Sequence, residues 1–196
     1  MDLALYLDQS SLDLDYLRQT LETCGPWARR HAVRGIDRKH MAALYEASEG
    51  AEALTLDHFA PLTDTLQEVI HSGKNTLPAF NHFEKRFCKP DGDDPGEVLW
   101  GYNQSSVTGL VGPGYFTITI VDKGEAFFDY GKVPPRKVAS WPAIVPGNGG
   151  IGTLVWGGLT DRMRKVSDHV AVGRAFKNGK AMDQWFMLCR EDPKTT

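Results

Sequence analysis

The feature that most limits what this chain can fold into is a dipeptide, Asn178-Gly179, set between two apolar runs. A type I′ turn needs positive φ at both central residues, which Asn and Gly tolerate best, so the pair marks a two-residue hairpin. Before it, Val170, Val172, Arg174 and Phe176 alternate with His169, Ala171, Gly173 and Ala175, giving one bulky and one small face. After it, Asp183 to Arg190 puts Trp185, Met187 and Cys189 on one face and Phe186 and Leu188 on the other. Few polar residues interrupt either face, which predicts a central strand. Upstream, Thr160 is a candidate N-cap for a short helix through Ser167. Leu159, Met163 and Val166 would share its buried side, and Asp161, Arg162, Arg164 and Lys165 its solvated side.

The same two-residue period begins near Glu97. Val98 to Asn103 reads as a strand, and Tyr115 to Val121 as a clear one, with Phe116, Ile118 and Ile120 facing one way. Asp122 to Glu125 turns the chain and Ala126 to Tyr130 returns it. Residues before this segment favour helix. Ser10 and Ser11 can cap a helix carrying Leu14, Leu17, Leu21 and Cys24, which Gly25-Pro26 stops. Further helices are predicted over about Asp37 to Ser48 and Thr63 to Ser72. A fourth, capped by Thr76, would carry Phe80, Phe83, Glu84 and Phe87 on one side, but Phe83, Lys85 and Phe87 also alternate as in a strand. The expected class is therefore α+β: N-terminal helices, then a mainly antiparallel sheet closing into a small β-barrel, with a short helix before the C-terminal hairpin. The division expected is a helical extension over 1–75 packed on a barrel-like domain over 76–196. The Pro- and Gly-rich stretch from Gly131 to Gly150, with Trp141 and Ile144 to dock it, is either a lid or a surface wrap.

The string Asp161-Arg162-Met163-Arg164-Lys165-Val166-Ser167, then Val170, Gly173, Gly179-Lys180 and Trp185-Phe186-Met187-Leu188-Cys189-Arg190, resembles the end of a known family. That family is the small, poorly characterised group of calycin-like β-barrel proteins named for a Gly-x-Trp-x-Gly motif. The resemblance covers about the last fifth of the chain. Gly96-Glu97-Val98-Leu99-Trp100-Gly101 has the motif's residue types at a different spacing. The resemblance implies a closed or nearly closed barrel around an apolar interior, and it implies no reaction.

Composition narrows the function classes. A net charge of −3 and a pI near 6.1 argue against a dedicated nucleic-acid binder. Cys24, Cys88 and Cys189 form no C-x-x-C pair and suit buried free thiols in a reducing cytoplasm. The first residues lack the basic region and cleavage site of a signal peptide, and no run of about 18 apolar residues is long enough to span a membrane. Gly147-Asn148-Gly149-Gly150-Ile151-Gly152 matches G-x-G-x-x-G, but Pro146 precedes it and the β-like Thr153 to Trp156 follows, so it reads as a loop. Gly73-Lys74-Asn75-Thr76 lacks the rest of a phosphate loop. The acidic run Asp91 to Glu97 lacks an EF-hand register and reads as a solvated turn. The sequence therefore predicts neither a cofactor nor a metal site.

Arg29, Arg30, Arg34, Arg38 and Lys39, with His31 and His40, form a basic cluster that either pairs with Asp2, Asp8, Asp13, Asp15 and Glu22 or binds anions. Polar residues among the strands are more suggestive: His82, Glu84, Arg86, Tyr102, Asn103, Asp129, Tyr130, Arg174 and Asp183. If the Arg174 face is interior, its guanidinium needs a carboxylate partner. The leading expectation is a barrel that binds a hydrophobic or amphipathic small molecule, with Trp100, Asn103, Phe116, Phe128, Trp141, Trp156 and Trp185 as ligand-binding candidates. A second reading is a cofactor-independent lyase, isomerase or hydrolase acting on a small carboxylate-bearing substrate. His82 or Asp129 would then serve as acid or base, and Arg174 and Tyr102 as oxyanion or carboxylate partners. A third is an interaction module, for instance a homodimer, through the helical N-terminal region.

Overall fold

In the computed structural model, which describes residues 7–8, 12–61, 64–92, 97–145 and 151–191, eight antiparallel strands run in chain order around a closed barrel. The strands are β1 (Val69–Asn75), β2 (His82–Cys88), β3 (Leu99–Gln104), β4 (Phe116–Val121), β5 (Glu125–Asp129), β6 (Leu159–Lys165), β7 (Val170–Lys177) and β8 (Lys180–Arg190). β8 closes the barrel by pairing with β1, Gly73 opposite Leu188. The α-helical segments described are α1 (Leu14–Thr23), α2 (Pro26–Gly35), α3 (Arg38–Ala47), the single turns α4 (Leu56–Phe59) and α5 (Thr108–Val111), and α6 (Ile151–Trp156), with a 3-10 turn at Asp122–Gly124 between β4 and β5. The fold is α+β, with helices first, a closed antiparallel barrel after them, and a short helix before the last three strands.

The hairpin forms as its dipeptide requires, with φ of 51° at Asn178 and 75° at Gly179. Its two faces then sort by size. Val170, Val172, Trp185, Met187 and Cys189 point outward and are covered by Leu17, Leu21, Val33, Ile36, Met41 and Leu44 of α1–α3. Ala171, Phe186 and Leu188 point into the bore with Phe87, Phe116, Ile118, Phe128 and Met163. The small face of β7 is inside because the rings need the room. A Cβ on Gly173 would lie 2.5 Å from the Phe186 ring and 2.8 Å from Met163 Cγ, and one on Gly73 would lie 2.7 Å from the Phe83 ring. Tyr102, Tyr115, Trp100, Cys88 and Trp141 build a third cluster outside the barrel. There the described part of the 131–150 stretch wraps onto β2–β4. Tyr115 Oη donates to the Pro142 carbonyl at 2.6 Å and Trp141 Nε1 to Glu68 at 2.5 Å.

Several local expectations change. Residues 160–167 form strand β6 and the turn after it, not a helix, because pairing with both β5 and β7 satisfies the backbone while alternate side chains enter the bore. The short helix lies earlier, at Ile151–Trp156, where Thr153 to Trp156 looks β-like. The described part of the third predicted helix gives no helix: Leu66 has φ of 55°, and Val69–Asn75 is the first barrel strand, ahead of the expected division at residue 75. The Phe83–Lys85–Phe87 alternation prevails over the helical reading in β2, and Phe80, at φ of 54°, ends any helical run before it. α2 lies in a region with no predicted helix and begins at Pro26, a favourable first position. α1 is capped by Asp13 and α3 by Asp37, whereas Ser10 and Ser11 lie outside the described residues.

Candidate functional site

One end of the bore is plugged and the other is hollow. At the plugged end, Leu54, Phe59 and Ala60 seal the interior, and Phe59 packs 5.3 Å from the Phe87 ring and 5.7 Å from the Phe128 ring. His71 Nε2 donates to the Phe59 carbonyl at 3.0 Å, and Arg190 Nη1 to the His58 carbonyl at 2.5 Å. Burial away from water holds the His71 ring neutral, its value pushed down to about 3, and likewise lowers His58 far below the usual imidazole range.

At the hollow end a cavity of about 390 Å³ opens between the ends of β1, β3 and β7 and the starts of β2, β6 and β8. Its walls are mostly apolar, with Phe83, Phe186, Leu159 and Ala175 from the strands and Trp156 from α6. Leu77, Phe80 and Val155, all solvent-exposed, border the cavity with apolar side chains. Trp156 joins the parts. Its ring stacks on Tyr130 at 5.2 Å and 17°, its Nε1 donates to the Val111 carbonyl at 2.8 Å, and it lies where a Cβ on Gly114 would be 2.6 Å away.

The floor of the cavity carries four polar side chains, Lys85, Asn103, Tyr130 and Asp161, all buried. The register puts them there: Lys85 of β2 faces Asn103 of β3, while Asp161 of β6 faces Phe128, two residues before Tyr130. Lys85 Nζ donates to Asn103 Oδ1 at 2.9 Å, to Asp161 Oδ2 at 3.2 Å and to the Tyr130 hydroxyl. Those three acceptors match the three N–H bonds of an ammonium. Tyr130 in turn donates to Asp161 Oδ2 at 2.8 Å, and Asn103 Nδ2 to the Gly114 carbonyl at 2.9 Å. Around Nζ stand the rings of Phe83, Phe116, Tyr130, Phe128 and Phe186, 4.8–5.8 Å away. Their faces favour a cation. Burial nevertheless lowers the Lys85 ammonium from its usual value, and the neighbouring Asp161 offsets this only in part. Burial, then the Asp161 charge, pushes the Tyr130 hydroxyl well above the ordinary phenol range, so it keeps its proton.

Of the residues singled out from sequence, Asn103 and Tyr130 lie in the floor and Trp156 in the wall of this cavity. Phe116 and Phe128 are inside the barrel, against Lys85. Trp185 borders the cavity but belongs to the outer cluster, with the Arg174 guanidinium 5.0 Å and the Arg38 guanidinium 5.4 Å from its ring. Trp100, Trp141 and Tyr102 are outside the barrel. His82 is exposed at the start of β2, and Asp129 accepts from the Gly131 amide at 2.9 Å. Arg174 faces outward, donating to the Met182 carbonyl at 2.9 Å, because β7 gives its small face to the bore. His82, Asp129, Arg174 and Tyr102 are thus not brought together. Arg174 instead borders an outer hollow, where Arg162 and Arg164 share Glu125 at 3.2 and 2.6 Å. Within the basic cluster, Lys39 and His40 both meet Asp8 at 3.0 Å, in line with internal pairing.

Lys85 and Asp161, the centre of the floor, are absent from the candidates read from sequence. Their signal is a charged residue at the midpoint of an alternating apolar triplet: Phe83-x-Lys85-x-Phe87 and Leu159-x-Asp161-x-Met163. In a strand each charge shares a face with its apolar neighbours, whereas the helical reading sent Asp161 to solvent.

Fold and site together define a closed antiparallel barrel, sealed at one end, with an apolar cavity over a buried ion pair at the other. Comparison with protein-family models, with curated proteins and with solved structures finds no match. Among the described residues, no helix is long and apolar enough to cross a membrane.

Proposed function

We propose that this protein binds a small, mainly apolar molecule inside its barrel, with one polar group of the ligand at the Lys85–Asn103–Tyr130–Asp161 floor. The observation that carries the reading is the cavity itself. At about 390 Å³ it falls within the size range of small-molecule sites, and its few polar groups converge on one point beneath apolar walls. A core built only for stability would have little reason to keep that volume empty, since interiors are packed to near-crystalline density. The exposed apolar side chains around the hollow end offer an apolar route inward. The calycin-like resemblance at the C-terminus points the same way, and we place the protein with that group of barrels as part of this proposal.

Titration with N-phenyl-1-naphthylamine, an uncharged apolar fluorophore, tests the reading. Saturable binding at one site is expected, with energy transfer from Trp156, and Ala175→Phe, which fills the cavity wall, is expected to abolish it. Absence of saturable binding to the wild-type protein, or unchanged binding in Ala175→Phe, overturns it.

A further inference from the structure

We propose that Lys85 forms a Schiff base with an apolar aldehyde or ketone held in the barrel cavity. The inference rests on the binding reading above and names its ligand class. It begins with charge balance. Among the described residues that line the cavity, Lys85 is the one cation and Asp161 the one anion. A ligand carboxylate would add a second negative charge to a floor that offers a single positive one, in surroundings where an unpaired charge is severely disfavoured. A ligand cation would leave a positive charge equally unmatched. A neutral carbonyl compound adds no charge, and its condensation product with an amine, an iminium, keeps the one that Lys85 already carries. The Asp161 counter-ion and the surrounding rings therefore suit the product as well as the free lysine.

Geometry supplies the proton path. The ammonium of Lys85 contacts the Tyr130 hydroxyl, which donates to Asp161 Oδ2 at 2.8 Å. One proton passes from Nζ through Tyr130 to the Asp161 carboxylate, leaving a neutral amine and a carboxylic acid. The freed lone pair attacks the carbonyl carbon; the C–N bond forms and the carbonyl π pair moves to oxygen. Tyr130 gives its proton to that oxygen and takes one from the nitrogen, which yields the neutral carbinolamine. The Asp161 proton then returns through Tyr130 to the hydroxyl group. The C–O bond breaks, water leaves, and the nitrogen lone pair closes the C=N bond. The balance is one ammonium and one carbonyl in, one iminium and one water out, with the Asp161 carboxylate restored and no oxidant or reductant consumed. Asn103, which accepts from Nζ at 2.9 Å and is fixed by the Gly114 carbonyl, is a positioning residue for the amine. Burial in an apolar site is a known way of activating a lysine for this chemistry, and the lowered Lys85 value agrees with it.

The test uses the full-length protein, 2-naphthaldehyde and sodium cyanoborohydride, which reduces an iminium to a stable secondary amine. Intact mass and peptide mapping then locate the added naphthylmethyl group. Modification of Lys85 is expected to outpace that of the surface lysines by about tenfold or more, since an aldehyde held in the cavity sits beside Nζ and such proximity can raise the effective concentration far beyond that of free reagent. Tyr130→Phe is expected to slow the labelling of Lys85 while leaving the surface lysines unchanged. In Lys85→Met combined with Asp161→Leu, which removes both charges so that the barrel can fold, the fast phase should vanish. 2-Naphthylmethanol, which cannot condense, is titrated in parallel. If the alcohol binds but Lys85 is labelled no faster than surface lysines, the covalent inference is overturned and the binding reading stands. If neither compound occupies the cavity, both fall.

Discussion

Lys85 and Asp161 meet across the full width of the barrel. They belong to β2 and β6, four strands apart in either direction around an eight-stranded ring, yet Nζ lies 3.2 Å from Oδ2. The pair therefore braces opposite walls and is almost wholly out of water, at 2% and 4% exposure. Removing one member leaves the other charge buried alone. Lys85→Met is expected to lower the unfolding free energy by about 3–5 kcal/mol. Adding Asp161→Leu should restore most of that loss, because apolar replacements of a buried pair are often neutral or stabilising by about 1–4 kcal/mol. Urea unfolding of the wild-type, single and double variants measures both steps.

The plugged end predicts how stability depends on pH. His71 is held neutral by burial, with a folded value of about 3 against 6.5 when free. Between those values the unfolded chain binds a proton that the folded chain refuses, so stability rises with pH across this window. The contribution is complete above pH 6.5 and is lost as pH falls toward 3, at up to about 1.4 kcal/mol per pH unit for each such histidine. His58 adds to the same window, being lowered first by burial and then by the facing His71. His71→Phe should remove one proton from the slope. Urea midpoints collected between pH 3 and 6.5 (bounded by the two values for His71) test this; an unchanged slope would count against a neutral, buried His71.

Glycines at two positions should respond in opposite ways to alanine. At Gly173 a Cβ would meet the Phe186 ring at 2.5 Å and Met163 Cγ at 2.8 Å, so Gly173→Ala is expected to cost about 1–3 kcal/mol through overpacking. At Gly35, the last residue of α2, nothing lies within 4 Å, and Gly35→Ala is expected to gain about 0.5–1 kcal/mol. Thermal or urea denaturation of the two variants should move to opposite sides of the wild type.

Thiol chemistry offers a check on the outer aromatic cluster. Cys88 and Cys189 are buried, and burial pushes the Cys88 thiol up to about 12, whereas Cys24 is half-exposed. At pH near 8 a disulfide reagent such as dithiobis(nitrobenzoate) should modify Cys24 readily in the folded protein and Cys88 only as fast as the barrel opens. A second thiol reacting at the rate of the first in the absence of denaturant contradicts that packing.

Much of the barrel can be read from local chemistry. The Asn178-Gly179 turn, the two faces of β8 and the alternation in β4 depend on neighbours one to four residues away, and these features match the structure. The misread segments are those whose apolar spacing suits two periods. Leu159, Met163 and Val166 fit a helix face, while Leu159, Asp161 and Met163 fit a strand face, and only pairing with β5 and β7 decides between them. The site suffers from the same ambiguity. Asn103, Tyr130 and Trp156 are recognisable as polar or aromatic residues in apolar surroundings. Lys85 and Asp161 are not, because each looks misplaced alone, and the partner that justifies it lies 76 residues away. Conversely, the bulky face of β7 makes Arg174 a candidate in the sequence, whereas the crowding of rings inside the bore turns that face outward.

Among the described residues, the seal formed by Phe59 closes one end of the bore and leaves the cavity at the other. A ligand that enters at the cavity end leaves by the way it came, past Leu77, Phe80, Val155 and Trp156. Association and dissociation then share one barrier at the rim, while the depth of the well is set at the floor, so the two can be tuned independently. Changes at the rim should speed or slow capture and release in equal proportion and leave the equilibrium constant nearly untouched. Changes at Lys85 or Asp161 should alter release, and affinity with it, while leaving the rate of capture nearly untouched.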